Sequence, residues 1–291
     1  MTYVMENISI YQGEAVQETN LVIRKNSIYS MYTPVSKIKG FRNNIDHYIM
    51  TPTTACFCDP AKLLVDPISY SKEIIKRGSD TLLVPFEISF EYEAEKKYQE
   101  LVNQLKSPPL DYCIVIVLPL RLLNTNLIRF CKNKKIPAIL VKVEESYELT
   151  SIPWGRIKES LFPYNSVLIP FISEVDRQDE ILKVWQHVLQ QEGISHNSHP
   201  IHVEAPITYD LMKKIGLYPR KGVLRIGGEI NYNLYPKEDW NHSIQNGIPT
   251  YDKIVYTIIK NKVVRAGKWM DLSICEGQRL TIQVPGFFCS N

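Results

Sequence analysis

The feature that most restricts how this chain can fold is a series of short apolar runs separated by helical stretches. TLLVPF (81–86) and YCIVIVLPL (112–120) are almost unbroken, and AILVKV (138–143) and SVLIPF (166–171) are largely so. A strand with one wet face alternates polar and apolar residues, whereas a strand buried on both faces does not. Between the runs lie amphipathic segments. PISYSKEIIKRGSD is closed by Gly78, and EYEAEKKYQELVNQLK (91–106) carries Tyr98, Leu101, Val102 and Leu105 on one stripe. LNTNLIRFCKNKK (123–135) has Asn124 or Thr125 as its N-cap. DRQDEILKVWQHVLQQEG (176–193) buries Ile181, Leu182, Val184, Trp185, Val188 and Leu189 and stops at Gly193. Doubly buried strands alternating with such helices predict a parallel α/β sheet.

The two ends of the chain follow a different pattern. ENISIYQ, NLVIRKNSIYSMYT and NIDHYIMTP place apolar residues at a period near two, as at Leu21, Ile23 and, beyond the Lys25-Asn26 turn, Ile28. After residue 222 the same pattern returns in GVLRIGGEINYNLYP, DKIVYTIIKNKVVRAGKW and RLTIQVPGFF, with Lys260-Asn261-Lys262 and Ala266-Gly267 supplying turns. The expected organisation is therefore β at both ends and α/β between, without internal repeats.

Composition narrows the function classes. The 34 basic and 31 acidic residues give a net charge of +3 with no long single-sign run, which argues against nucleic-acid and membrane-surface roles. Cys113 and Cys131 sit inside apolar runs, so the six cysteines fit a reducing compartment better than a disulfide framework. No 18-residue window is uniformly apolar and the first residues lack a basic-then-apolar leader, so a cytoplasmic protein is expected.

Three segments carry a family resemblance. In GLYPRKGVLRIGG (216–228), Leu217 to Gly222 reproduce in series a signature found near the end of the barrel in cyclic amidohydrolases of the dihydropyrimidinase/hydantoinase type. The Asp-Ala-Asp that follows in that family is replaced here by Glu229-Ile230-Asn231. NIDHYIMTP (44–52) is similar to the strand that enters the family's barrel, and DKIVYTIIKNKVVRAGKW (252–269) to its closing hairpin. The resemblance implies α/β plus β architecture: a (β/α) barrel-like domain over 52–222, inserted into a small composite β-sandwich built from 1–51 and 223–291. A complete (β/α)₈ barrel takes ~250 residues. Pro52 to Lys221 spans only about 170, enough for about five β/α units, so a truncated barrel is expected.

The same resemblance points to the family's metal site. There an Asp-x-His-x-His on the first barrel strand binds a divalent metal, whose water becomes the nucleophile. Counting from Pro52, Cys56 stands at the Asp position, Cys58 at the first His and Pro60 at the second. The family's bridging carbamylated lysine corresponds to Lys142 in AILVKVEE. Lys142 and Cys58 are thus vestigial catalytic candidates, and the expectation is a catalytically inactive protein acting as a binding or assembly module without cofactor. Its shortened barrel would be covered by a second copy or a dedicated partner. The alternatives are a divergent hydrolase of cyclic C–N bonds using zinc or manganese, and a small-molecule sensor using the old substrate cavity.

Other constellations are weaker. His196, His199 and His202 could join Cys56 and Cys58 in a replacement zinc site, but Pro200 interrupts the cluster and its polar flanks read as a solvated loop. Cys56-x-Cys58 is not the C-x-x-C of redox sites. Asp46-His47 has no assigned role, and Gly227-Gly228 lacks the frame of a phosphate cradle.

Overall fold

The computed structural model describes residues 2–12, 15–31, 38–105, 107–172, 177–240, 244–245 and 248–289. Lys106 and Asp176, at the ends of two expected helices, and Tyr32-Thr33, at the end of an expected strand, lie outside them.

β1 (Thr2–Gln12) pairs antiparallel with β2 (Ala15–Arg24), which turns at Lys25-Asn26 into β3 (Ser27–Met31). Lys25 takes φ 56°, the left-handed geometry that short hairpins require. β4 (Phe41–Asn44) and β5 (Tyr48–Pro52) run parallel to successive halves of β1.

The apolar runs then build the second unit. β6 (Thr54–Phe57), α1 (Pro60–Val65), α2 (Pro67–Lys76), β7 (Ser79–Glu87), α3 (Ala94–Gln104), β8 (Asp111–Pro119), α4 (Thr125–Lys134) and β9 (Ala138–Lys142) come first. α5 (Glu148–Ser151), α6 (Trp154–Leu161), β10 (Val167–Phe171), α7 (Gln178–Glu192) and α8 (Tyr209–Ile215) follow. The five strands form one parallel sheet in the order β10-β9-β8-β7-β6. The helix stripe is as read: Tyr98, Leu101 and Leu105 are buried and Val102 packs beside them. Asn124 caps α4 by accepting from the amides of Asn126 and Leu127, and Gly193 ends α7 at φ 63°.

The chain returns to the first sheet through β11 (Tyr232–Pro236), a two-residue hairpin of β12 (Ile244–Gln245) and β13 (Ile248–Pro249), then β14 (Tyr256–Ile259), β15 (Lys262–Ala266) and β16 (Trp269–Met270). β11 pairs with β5, so strands from the two ends of the chain become neighbours.

The described end strands are linked by hydrogen bonds into one mixed sheet, β16-β15-β14-β11-β5-β1-β2-β3 with β4 on β1, around a core of Met5, Ile8, Leu21, Ile23, Met50, Tyr232 and Ile258. One expectation changes: RLTIQVPGFF is not a strand of that sheet. Its only strand-like pairing is an isolated bridge between Arg279 and Tyr112, because β9 pairs with β8 only from Ile116 onward. The alternation of Leu280 and Ile282 serves instead to bury both side chains beneath the parallel sheet.

Candidate functional site

In (β/α) barrels chemistry sits at the C-terminal ends of the strands, here at Cys58, Glu87, Lys142 and Phe171. Side chains alternate in and out along β6. Ala55 and Phe57 join the inner core, while Cys56 and Cys58 pack in the outer one, with Leu63, Tyr70 and Ile74 of α1 and α2. Both thiols are fully buried. Burial raises the Cys56 thiol to about 12 and pushes Cys58 well up, so neither is a ready thiolate. Pro60 opens α1, behind an Asp59 cap that accepts from the amides of Ala61 and Lys62.

Lys142, at the end of β9, is separated from β6 by two strands, β8 and β7, and does not meet Cys58. Its Nζ lies 2.5 Å from Glu87 Oε1 and over the Phe171 ring at 5.7 Å. That is an ion pair at a strand end, with no second ligand drawn toward it.

The inner face of the sheet is filled. Leu83, Val115, Val117, Leu140 and Ile169 point inward and meet Ile207, Leu211, Met212 and Ile215 of α8 and its approach. Leu217, Leu280 and Ile282 complete the plug. With Cys56 and Cys58 turned into the outer core and Lys142 paired to Glu87, the residues present do not fit the two-metal centre that the resemblance implies, and no hydrolytic step is derived through one. Among the described residues no three His, Cys, Asp or Glu side chains converge to hold a metal.

The histidine cluster belongs to segment 195–207, which links the two edges of the sheet. Leu168 of β10 donates to Ser195 and accepts from Asn197, and on the far edge Ala55 and Phe57 of β6 accept from Ile207 and Glu204. His196 is half-buried, its Nδ1 2.8 Å from the Ile194 carbonyl. Burial lowers its pKa, against the pull of that carbonyl. His199 and His202 are exposed and line an open groove of about 360 Å³ with Thr208, Asp210 and Lys214. The three do not converge.

The strongest charged constellation lies at the opposite end of the strands. Lys221, from the GLYPRKG run, is 2% exposed, and its Nζ is 3.1 Å from Asp80, 2.7 Å from Asp111 and 2.8 Å from Glu229. Asn231 donates to Asp80 and Glu229, and Lys260 pairs with Asp111 at 3.0 Å. Burial alone would lower Lys221, but the three carboxylates overrule it and the pKa is raised. Burial likewise pushes Asp111 up, and Lys221 and Lys260 bring it below its ordinary value. This cluster pins the start of β7 and β8 to the end sheet. Sequence reading did not find it, although a signal existed: Asp80 and Asp111 each stand directly before a buried apolar run.

Comparison with known proteins gives a likeness in fold alone. No family model matches the chain, and no curated protein matches it in sequence. Solved structures do. A D-hydantoinase from Bacillus sp. AR9 superposes with a TM-score of 0.66 at 8% identity, covering 97% of this chain and 99% of that one. A dihydropyrimidinase from Brevibacillus agri gives 0.62 at 8% identity, covering 98% and 100%. An L-hydantoinase (dihydropyrimidinase) from Arthrobacter aurescens gives 0.58 at 10%, covering 96% and 99%. The chain has an amidohydrolase-type fold. Within that class its likeness is to the hydantoinases and dihydropyrimidinases, as GLYPRKG implied. No helix of the described residues is long and apolar enough to cross a membrane.

Proposed function

We propose that this protein is a truncated, catalytically inactive amidohydrolase-like chain that serves as a binding or assembly module. The observation that carries the reading is the packed inner face of the parallel sheet, where Leu211, Met212, Leu217, Leu280 and Ile282 form a closed apolar core. The outward burial of Cys56 and Cys58 and the engagement of Lys142 with Glu87 point the same way.

The expected reason for a partner, open strand edges, is weakened by segment 195–207, which bonds to both β10 and β6. Support for assembly comes instead from the C-terminal turn, where Val284, Phe287 and Phe288 are exposed, Phe287 to 70%. Phe288 contacts Tyr218 edge-on, so these rings continue a built surface and are not stray side chains. A second copy of the chain is the proposed occupant.

Two measurements test this. Purified protein reconstituted with zinc or manganese is expected to retain no stoichiometric metal and to leave hydantoin and dihydrouracil uncleaved. Stoichiometric metal that disappears in Lys142→Ala would overturn the inactive reading. Sedimentation velocity is expected to show a dimer at micromolar concentration that dissociates in Phe287→Ser/Phe288→Ser. A wild-type monomer would remove the assembly half.

A further inference from the structure

We infer that residues 195–207 form a strap, latched through Glu204, that opens as a unit while the parallel sheet it closes stays folded. The strap ascends beside β10, crosses at the C-terminal end of the sheet, and descends antiparallel to β6, with single bridges at His196–Leu168 and Pro206–Cys56. It holds the two ends of the sheet by very few bonds. On the β10 side these are the two to Leu168 and one from Trp185 Nε1 to the Asn197 carbonyl at 2.9 Å. On the β6 side they are the amides of Glu204 and Ile207. Between them His199, His202 and Val203 are exposed, above the groove that also contains Thr208, Asp210 and Lys214. Ile207 anchors the end of the strap in the inner core and Ile201 packs beside that core, but between them His202 and Val203 are exposed, and such a stretch belongs to the low-stability end of a structure.

Glu204 is the fastening. Its carboxylate takes Arg77 at 2.9 Å on Oε2 and Lys62 at 2.9 Å on Oε1, and Arg77 also donates to its backbone carbonyl. Arg77 closes α2 and Lys62 lies in α1, so one strap residue is tied to two helices of the outer layer. The ties work against local backbone preference. Glu204 has φ 63°, a left-handed conformation that is uncommon and unfavourable for a non-glycine residue. Loss of the carboxylate charge removes both cationic partners and leaves the unfavourable turn. The strap is therefore poised to release from the β6 side first, uncovering the β6 edge and the groove. The inference does not depend on whether the chain is a pseudoenzyme.

Hydrogen–deuterium exchange on the intact chain tests it, with urea melts on the same samples to fix global stability. In the wild type, peptides over 195–207 are expected to exchange faster than those of β8. Glu204→Gln is expected to accelerate the strap peptides about tenfold, the scale of a lost charge-assisted hydrogen bond, with β8 peptides unchanged. Lys62→Met removes one of the two cations and is expected to give a smaller acceleration in the same peptides, whereas Glu73→Gln, in an exposed pair with Lys76, gives none. Strap peptides that exchange in step with β8, or that ignore Glu204→Gln at unchanged global stability, would overturn the inference. If Glu204→Gln does not fold, Lys62→Met decides alone, and no acceleration there refutes the latch.

Discussion

Replacing Lys221 with Met leaves the volume of the site nearly intact and removes its only deeply buried cation. Asp80 and Asp111, 1% and 2% exposed, would then face each other and Glu229 with Lys260 as the sole remaining positive charge. Taking one partner from a buried ion pair costs about 3–5 kcal/mol, since the remaining charge stays desolvated. With a urea dependence of about 3 kcal/mol per molar, the unfolding midpoint at pH 7 should drop by roughly 1–2 M. The pH dependence follows from the two shifts. Asp111 is held below its usual value, so its contribution is present above the unfolded carboxylate pKa of about 3.9 and is lost as pH falls through the lower folded one. Lys221 is raised, so its contribution is complete at any pH below about 10.4 and fades only in strong alkali. The gap between wild type and Lys221→Met should thus be widest from about pH 5 to 9, begin to shrink below about pH 4, and close only as pH falls through the lower folded value of Asp111, where protonated carboxylates need no cation. Adding Asp111→Asn to the variant should recover part of the loss. A destabilisation under about 1 kcal/mol at pH 7, or no recovery in the double variant, would refute the cluster as a structural anchor.

Two further outcomes rest on packing. Gly277 lies so close to the backbone of Leu110 that an added Cβ would overlap its carbonyl. Gly277→Ala should therefore cost about 1–3 kcal/mol or more, and limited proteolysis should show residues 278–289 released from β8. Of the six free cysteines, Cys56, Cys58, Cys113 and Cys131 are buried, and burial raises each of their pKa values. A thiol-specific reagent near neutral pH should label only Cys275 and Cys289 in the native protein and all six in denaturant; rapid native labelling at Cys58 would contradict its placement in the outer core.

Much of the architecture was legible because it depends on local patterns. The apolar runs at 81–86, 112–120, 138–143 and 166–171 all became parallel strands, since unbroken apolarity leaves a strand no wet face. Asn124 and Gly193 ended helices as expected, because capping is decided within one turn. The candidate site was legible only in part. The positions of Cys56, Cys58 and Pro60 were readable by counting from Pro52, but the direction of the two thiols was not. Whether i and i+2 face the inner or outer core depends on how the sheet curves and on what covers it. RLTIQVPGFF shows the same limit: its alternation is equally compatible with a strand and with a plug that buries every second residue.

GLYPRKG illustrates the division most clearly. The sequence alone determined the kind of fold, because six consecutive matching residues and the β–α/β–β order depend on chain-local identity. It also places Cys56, Cys58 and Pro60 where the resemblance would put the first strand's metal-site residues. Only the tertiary structure decided what Lys221 does and what fills the barrel. The lysine gains its role from Asp80 and Asp111, more than a hundred residues away in sequence, and Glu204 from Arg77 and Lys62. Charge pairing acts through space and leaves no periodic trace along the chain, so these contacts exist only once the parallel sheet has brought their elements together.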